Sequence, residues 1–210
     1  LTSGYSTVTL APDAASNARV TFASLTRTTG ASALFRGTNL GVNTIASQPA
    51  GSSNVVFTTA PTLTGGGGNS GTVTVSIVAG AIGAGGASGS SSAGTDFVTY
   101  NPPAGAVNGL RPLLASEYVA APAANVNLRL TANRVADDTV SINSLLLSGG
   151  VTYDHDATGA ANTLTIASGN VLSVGGTNTI QPTQATGTVA FGATDAKVFT
   201  VSDLVLGSNA

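Results

Sequence analysis

Short runs in which apolar residues alternate with Thr, Ser or Asn recur throughout this 210-residue chain. A period of two places successive side chains on opposite faces of a strand, so each run predicts a strand with one inward and one outward face. Threonine is β-branched and suits the outward, pleated face. The predicted strands are Thr7–Leu10, Arg19–Phe22, Thr72–Ile77, Asn125–Leu130, Thr139–Ile142, Thr163–Ile166, Val171–Val174, Thr188–Phe191 and Val198–Val201.

Residues that favour helices are scarce. Glu117 is the only glutamate and Lys197 the only lysine. The best helical candidate, Leu113–Ala121, is bracketed by Pro112 and Pro122, so one or two turns are expected there at most. The sequence therefore predicts an all-β protein.

Three apolar runs that end in small residues suggest a repeat. They are Ser144–Gly150, Val171–Gly176 and Asp203–Ser208, and their spacing of roughly 25 to 30 residues is typical of a solenoid. A parallel β-helix uses such units, with apolar side chains stacked in columns inside the tube. An antiparallel sandwich is the alternative, but its hairpin signal, Asn-Gly, occurs once, at Asn108-Gly109. We favour the parallel β-helix.

The solenoid is expected to fill residues 1–210 as a single module, and the ends at Leu1 and Ser208–Ala210 suggest a fragment of a longer chain. Residues 65–71 predict a flexible turn. Residues 79–95, rich in Gly, Ala and Ser, predict an extended loop, and the prolines Pro102 and Pro103 follow soon after. Residues 79–124 are therefore expected to leave the solenoid as a loop excursion and pack beside it.

Composition excludes several functions. Charged residues make up 8% of the chain and the net charge is −2, so no basic surface for nucleic acid is expected. Cysteine is absent, which excludes disulfides and thiolate metal sites. No apolar stretch reaches the about 18 residues of a membrane span. Gly66-x-Gly68-x-x-Gly71 resembles a dinucleotide fingerprint, but a predicted strand follows where that motif needs a helix, so no cofactor is expected.

The only histidine lies between two carboxylates, in Asp154-His155-Asp156. These residue types are metal ligands and acid–base groups, which makes all three weak candidates for a metal site such as Ca²⁺. On a strand, Asp154 and Asp156 would share a face and His155 would point to the other. The following Ala157-Thr158-Gly159 favours an exposed polar turn instead.

Asp137-Asp138 resembles the paired aspartates of β-helical pectin hydrolases. The Gly-His-Gly and Arg-x-Lys segments of those enzymes are absent from the chain. We therefore expect these aspartates to form a turn between strands, and we assign no catalytic residue. The sequence predicts that the protein is not an enzyme.

Several strings, in order, resemble large bacterial surface proteins, the autotransporter-associated β-strand repeat proteins. The strings are Ala31–Gly41, Phe57–Pro61, Asp96–Tyr100, Gly109–Leu113 and Ile142–Leu147. The resemblance implies a secreted, right-handed parallel β-helix on a bacterial surface, with no catalytic residues to transfer. The Gly-x-Leu-Thr-Leu repeat that gives the family its name is absent, so the resemblance is to an intervening module.

The functional hypothesis is an extracellular structural module of a surface fibre, sheath or adhesin that associates with other copies of itself or with adjoining solenoid coils. One alternative is a carbohydrate-binding adhesin that contacts surface glycans through residues 79–124, since loops on rigid scaffolds often carry recognition. The other is a β-helical polysaccharide-active enzyme that uses Asp137 and Asp138.

Overall fold

The computed structural model describes residues 1–101, 108–159, 161–184, 186–192 and 195–207, and within these ranges the protein is all-β. The only helical elements there are two 3-10 turns, Gly89–Ser91 and Ala115–Glu117, and the second lies in the predicted helical segment. The chain divides into two compact units, unit 1 (Leu1–Thr64 and Ile77–Leu114) and unit 2 (Gly65–Ser76 and Ala115–Ala210). The single solenoid module over 1–210 stays a prediction. Pro102–Pro103 and Ser208–Ala210 lie outside the described residues.

Unit 1 is one seven-stranded mixed sheet in the order β1-β3-β5-β6-β7-β4-β2. Its strands are β1 Tyr5–Leu10, β2 Ala18–Phe22, β3 Ser32–Gly37, β4 Ser53–Phe57, β5 Ala81–Ala84, β6 Asp96–Asn101 and β7 Gly109–Pro112. Strands β1, β3 and β5 form one parallel ladder, and β2 and β4 form another. The antiparallel pair β6–β7 joins the two ladders by pairing with β5 and with β4. The sheet curls around a core that includes Phe35, Val55 and Leu110.

Residues 79–95 contain a strand, so the loop prediction is wrong for β5. Its side chains are small because they are packed closely and buried, not because the segment is open. A Cβ at Gly83 would lie 2.3 Å from Val98 Cγ1, and a Cβ at Gly89 would lie 2.2 Å from the Gly37 carbonyl oxygen. The segment 79–124 also contains β6 and β7. Whether it packs beside a solenoid stays a prediction.

Unit 2 consists of three parallel sheets. Sheet A has the order β10-β13-β16, sheet B β17-β14-β11-β8, and sheet C β18-β15-β12-β9. The strands are β8 Asn127–Leu130, β9 Arg134–Val135, β10 Val140–Ile142, β11 Ser144–Ser148, β12 Thr152–Asp154, β13 Thr163–Ile166, β14 Asn170–Val174, β15 Asn178–Gln181, β16 Thr188–Ala190, β17 Lys197–Thr200 and β18 Leu204–Leu206. Every third strand along the chain pairs with its predecessor, as in a β-solenoid segment. The predicted parallel arrangement is thus confirmed for unit 2.

Successive coils of unit 2 differ slightly in length. In sheet B, Leu145 pairs with Val171 and Val171 with Val198, steps of 26 and 27 residues. In sheet A, Val140 pairs with Leu164 at a step of 24 residues. The inward side chains still stack in columns, and the core cluster includes Leu145, Val171 and Leu164. Each coil therefore keeps its strand positions while the connections between strands absorb the extra residues.

The corner between sheets B and C is built from stacked glycine pairs. Gly149-Gly150 and, one coil later, Gly175-Gly176 all have positive φ between 69° and 124°, which allows the sharp turn. Asn178 satisfies the backbone of this corner. Its Oδ1 accepts the N–H groups of Gly150 (3.1 Å) and Val151 (2.9 Å), and its Nδ2 donates to three carbonyl oxygens and to Ser173 Oγ.

Residues 65–76 and 115–125 cover the first coil of unit 2, which we call the capped end. Val119 pairs with Leu128 of β8, and the Asn127 N–H donates to the Val73 carbonyl at 2.8 Å. The Asn127 side chain donates to Val73 (3.3 Å) and Val75 (3.0 Å). Strand Thr72–Ile77 was predicted from its alternation, and this prediction is wrong. These residues form turns with single bridges because their backbone groups bond to the first coil.

Candidate functional site

The predicted site residues lie at one corner of unit 2, where sheet C connects to sheet A in successive coils. We call it the polar corner; its described connections are residues 136–139, 155–159, 161–162, 182–184 and 186–187. Four of the nine acidic residues of the chain, Asp137, Asp138, Asp154 and Asp156, lie in or beside these connections. The fold therefore brings together the two acidic motifs that the sequence singled out separately.

Asp137 and Asp138 follow β9 and are engaged by different partners. Asp137 accepts the N–H (2.9 Å) and hydroxyl (2.5 Å) of Thr158 from the next coil. Those hydrogen bonds hold the pKa of Asp137 below its ordinary value. Asp138 receives two hydrogen bonds from Arg134, at 3.0 and 2.9 Å, and the Tyr153 hydroxyl donates to it at 3.0 Å. Both carboxylates thus tie one coil to the next.

Asp154 and Asp156 are buried and bond forward to the following coil. Thr183 donates its N–H (3.0 Å) and its hydroxyl to Asp154. The Thr186 hydroxyl donates to Asp156 at 3.0 Å, and Asn162 Nδ2 donates to the other oxygen of Asp156 at 3.0 Å. The sequence predicted an exposed polar turn here, and that prediction is wrong for 154–156. Connections of neighbouring coils cover these residues, and their side chains act as buried hydrogen-bond acceptors.

His155 is fully buried on the side of the chain that carries Tyr153. Its ring meets the Tyr153 ring edge-on, with centroids 6.1 Å apart and planes at 67°. Neither Nδ1 nor Nε2 makes a hydrogen bond of ordinary geometry. Burial lowers the pKa of His155; Asp156, Asp154, the Thr188 backbone and Asp138 oppose that effect without cancelling it. The imidazole is therefore neutral at pH 7.

Tyr153 and Arg134 are the corner residues that sequence reasoning missed. Burial raises the pKa of Tyr153, and the neighbouring Asp138 raises it further, so the hydroxyl is a hydrogen-bond donor at physiological pH. The hydrogen bonds to Asp138 raise the pKa of Arg134. The four-residue spacing of Arg134 and Asp138 was visible in the sequence, but on a bent strand-to-strand connection it carried no signal of pairing.

The weak metal candidates do not converge on one point. Among the residues that the structure describes, no group of three His, Cys, Asp or Glu side chains is placed to hold a metal ion. Thr183, Thr186 and Asn162 bond to the oxygens of Asp154 and Asp156 instead. The arrangement can hold coils together, and it presents no cluster of free carboxylates to a ligand.

The last coil of unit 2 is a second candidate site, which we call the open end. Strands β16, β17 and β18 pair with β13, β14 and β15 on one side only within the described residues. Large apolar side chains are exposed there: Val198 by 43%, Val205 by 45% and Leu206 by 66%. A cavity of about 420 Å³ opens into the core between Val171, Ile180 and the last coil.

The open end lacks the charges that usually block a sheet edge. Of its three strands, only β17 contains a charged residue, Lys197, and this side chain is buried against Asp195. Natural edge strands usually carry exposed Lys, Pro or bulges that prevent pairing with another chain. The open end therefore presents unpaired backbone groups and apolar columns to whatever covers it.

No protein-family model, curated protein or solved structure matches the chain. Among the described residues, the structure contains no helix with the length and apolar character needed to cross a membrane.

Proposed function

We propose that the chain is an extracellular structural module of a bacterial surface fibre, sheath or adhesin, built on a right-handed parallel β-helix. The open end of unit 2 carries this proposal. Solenoid coils bury their apolar faces only by stacking, and an end without a polar cover requires a neighbour. The proposal includes membership of the surface-protein family that the sequence strings resemble.

An adjoining coil supplies everything that the open end lacks. A strand beside β17 would pair with its free backbone edge, and an inward apolar side chain would stack on Val198 and fill the cavity above Val171. We propose that a second copy of the chain provides this coil. Contact between two different surfaces repeats from copy to copy and generates a filament.

The polar corner supports the structural hypothesis over the hydrolytic one. Glycoside hydrolysis requires two carboxylates that face the scissile bond. Asp137 and Asp138 instead accept hydrogen bonds from Thr158 and from Arg134 and Tyr153. Their carboxylates serve cohesion between coils, which suits a module with a mechanical role.

Sedimentation velocity and negative-stain electron microscopy of the purified chain test the proposal. The unmodified protein is expected to gain mass with concentration and to form end-to-end particles. The double variant Val198→Lys, Leu206→Lys places two charges on the open end and is expected to stay monomeric, because a buried unpaired charge is strongly unfavourable.

Val42→Lys is the matched control, since Val42 is 62% exposed but lies in a turn of unit 1. It should associate like the unmodified chain. The proposal fails if the unmodified protein stays monomeric at every concentration, or if the double variant and the control associate equally well.

A further inference from the structure

His155 occupies an unusual place in the polar corner. It lies directly after β12, between two carboxylates that bond to the following coil, and it is the only histidine in the chain. Its backbone also links three coils. The His155 carbonyl accepts the Asp138 N–H from the preceding coil at 3.0 Å, and its N–H donates to Gln181 of the following coil at 3.4 Å.

The charged groups around the ring come from two coils. Asp154 and Asp156 lie on its own coil, and Asp138 lies on the coil before it. Arg134 neutralises much of the Asp138 charge through two hydrogen bonds. Tyr153 contributes a neutral ring edge.

The carboxylate oxygens near the ring are already occupied. Those of Asp154 accept bonds from Thr183, and those of Asp156 accept bonds from Thr186 and Asn162. A protonated imidazole carries two N–H donors and needs acceptors for both when buried. In this corner it could obtain them only by displacing a donor that belongs to the following coil, or by moving into water.

We infer that the polar corner is an acid-sensitive latch, in which protonation of His155 loosens the hydrogen bonds that hold residues 155–159 to the coils on either side. At pH 7 the neutral ring packs against Tyr153 and the latch is closed. Uptake of a proton sets the new cation in competition with Thr183 and Thr186 for the same carboxylates, and the corner opens.

The sign of the pH effect follows from burial. The pKa of His155 in the folded protein lies below the ordinary value of about 6.5, so the unfolded chain binds the proton first as pH falls. Stability from this group is fully present above pH 6.5. It is lost as pH falls from there toward the folded pKa, and it changes no further below that value. The unfolding equilibrium constant should rise by up to about tenfold for each pH unit within this window.

The single histidine makes the experiment direct. The imidazole Cε1–H proton gives one NMR signal, whose titration reports His155 alone. Its midpoint is expected below pH 6.5. Hydrogen exchange at the amides of Asp138 and Thr183, corrected for the intrinsic rate, should accelerate between pH 7 and pH 5.

Two variants separate the latch from general acid sensitivity. His155→Phe keeps a ring of similar size and His155→Gln keeps polarity, and neither titrates. In at least one of them that folds, unfolding by urea and the corrected exchange rates should be independent of pH between 7 and 5. A midpoint at or above pH 6.5 in the unmodified protein, or an unchanged pH slope in a folded variant, overturns the inference. Neither measurement depends on whether the chain forms filaments.

Discussion

The two ends of the parallel stack in unit 2 are finished in opposite ways. At the capped end, Val73 and Val119 close the core, and Asn127 bonds its amide to the covering backbone. At the open end, Val198 and Leu206 remain exposed. The core columns are alike at both ends, so what differs is the cover.

The cover of the capped end comes from two segments that are distant in sequence, 65–76 and 115–125. Buried polar groups fix their position. Asn143 Nδ2 donates to Asn127 Oδ1 at 2.7 Å, and Glu117 accepts the Gly71 N–H at 2.7 Å. A cap therefore needs specific polar pairs, whereas an end that stacks on another coil needs only unblocked strands and apolar columns.

The largest effect is expected from a matched pair of leucines. Leu164→Ala, in the middle of the core, should lower the free energy of unfolding by about 2 to 5 kcal/mol because it removes buried surface and leaves a cavity. Leu206→Ala should cost less than about 0.5 kcal/mol in the monomer, because the side chain is mostly exposed. Urea unfolding at low protein concentration measures both. Equal losses would mean that the open end is covered in solution.

A smaller effect is expected at the capped end. Asn127→Ala should cost about 2 to 4 kcal/mol, since Asn143 and Ser144 lose their shared acceptor and remain buried. Asn133→Ala is the control, because this exposed side chain accepts one backbone N–H, from Thr152 at 2.9 Å. It should cost about 0.5 to 1 kcal/mol. If both cost the same in urea unfolding, the cap is not held by Asn127.

The smallest of the three effects compares two glycines of the cap. A Cβ at Gly65 would lie 1.8 Å from Asn143 Oδ1, whereas a Cβ at Gly67 would meet nothing within 4 Å. Gly67→Ala should cost about 1 kcal/mol from its left-handed backbone alone. Gly65→Ala should cost at least about 2 kcal/mol, because Asn143 must move as well. Thermal unfolding of the two variants side by side would show whether the cap packs this tightly.

The sequence predicted the strands of unit 2 well, because inward Leu and Val alternate with outward Thr and Ser whatever the coil. It failed where tertiary contacts decide the conformation. Residues 72–77 alternate like a strand, yet their carbonyls bond to Asn127 as part of the cap. Strand β5 looks like a loop because close packing demands glycine and alanine, a requirement that only the neighbouring strands reveal.

The candidate site shows the same division. The sequence located Asp137, Asp138, Asp154, His155 and Asp156, but it could not show that both motifs lie at one corner. Coil length decides that, and the connections between strands vary in length. Burial of His155 also depends on the connections above and below it, which lie between about 20 and 30 residues away in sequence.

The unequal coil lengths have a consequence for how such a chain can diversify. A residue inserted inside a strand would turn every later side chain of that strand to the wrong face. A residue inserted at a corner leaves the strands where they are, as the steps of 26 and 27 residues in sheet B already demonstrate. Relatives of this chain should therefore gain and lose residues at the corners while their rungs keep the same hydrophobic code.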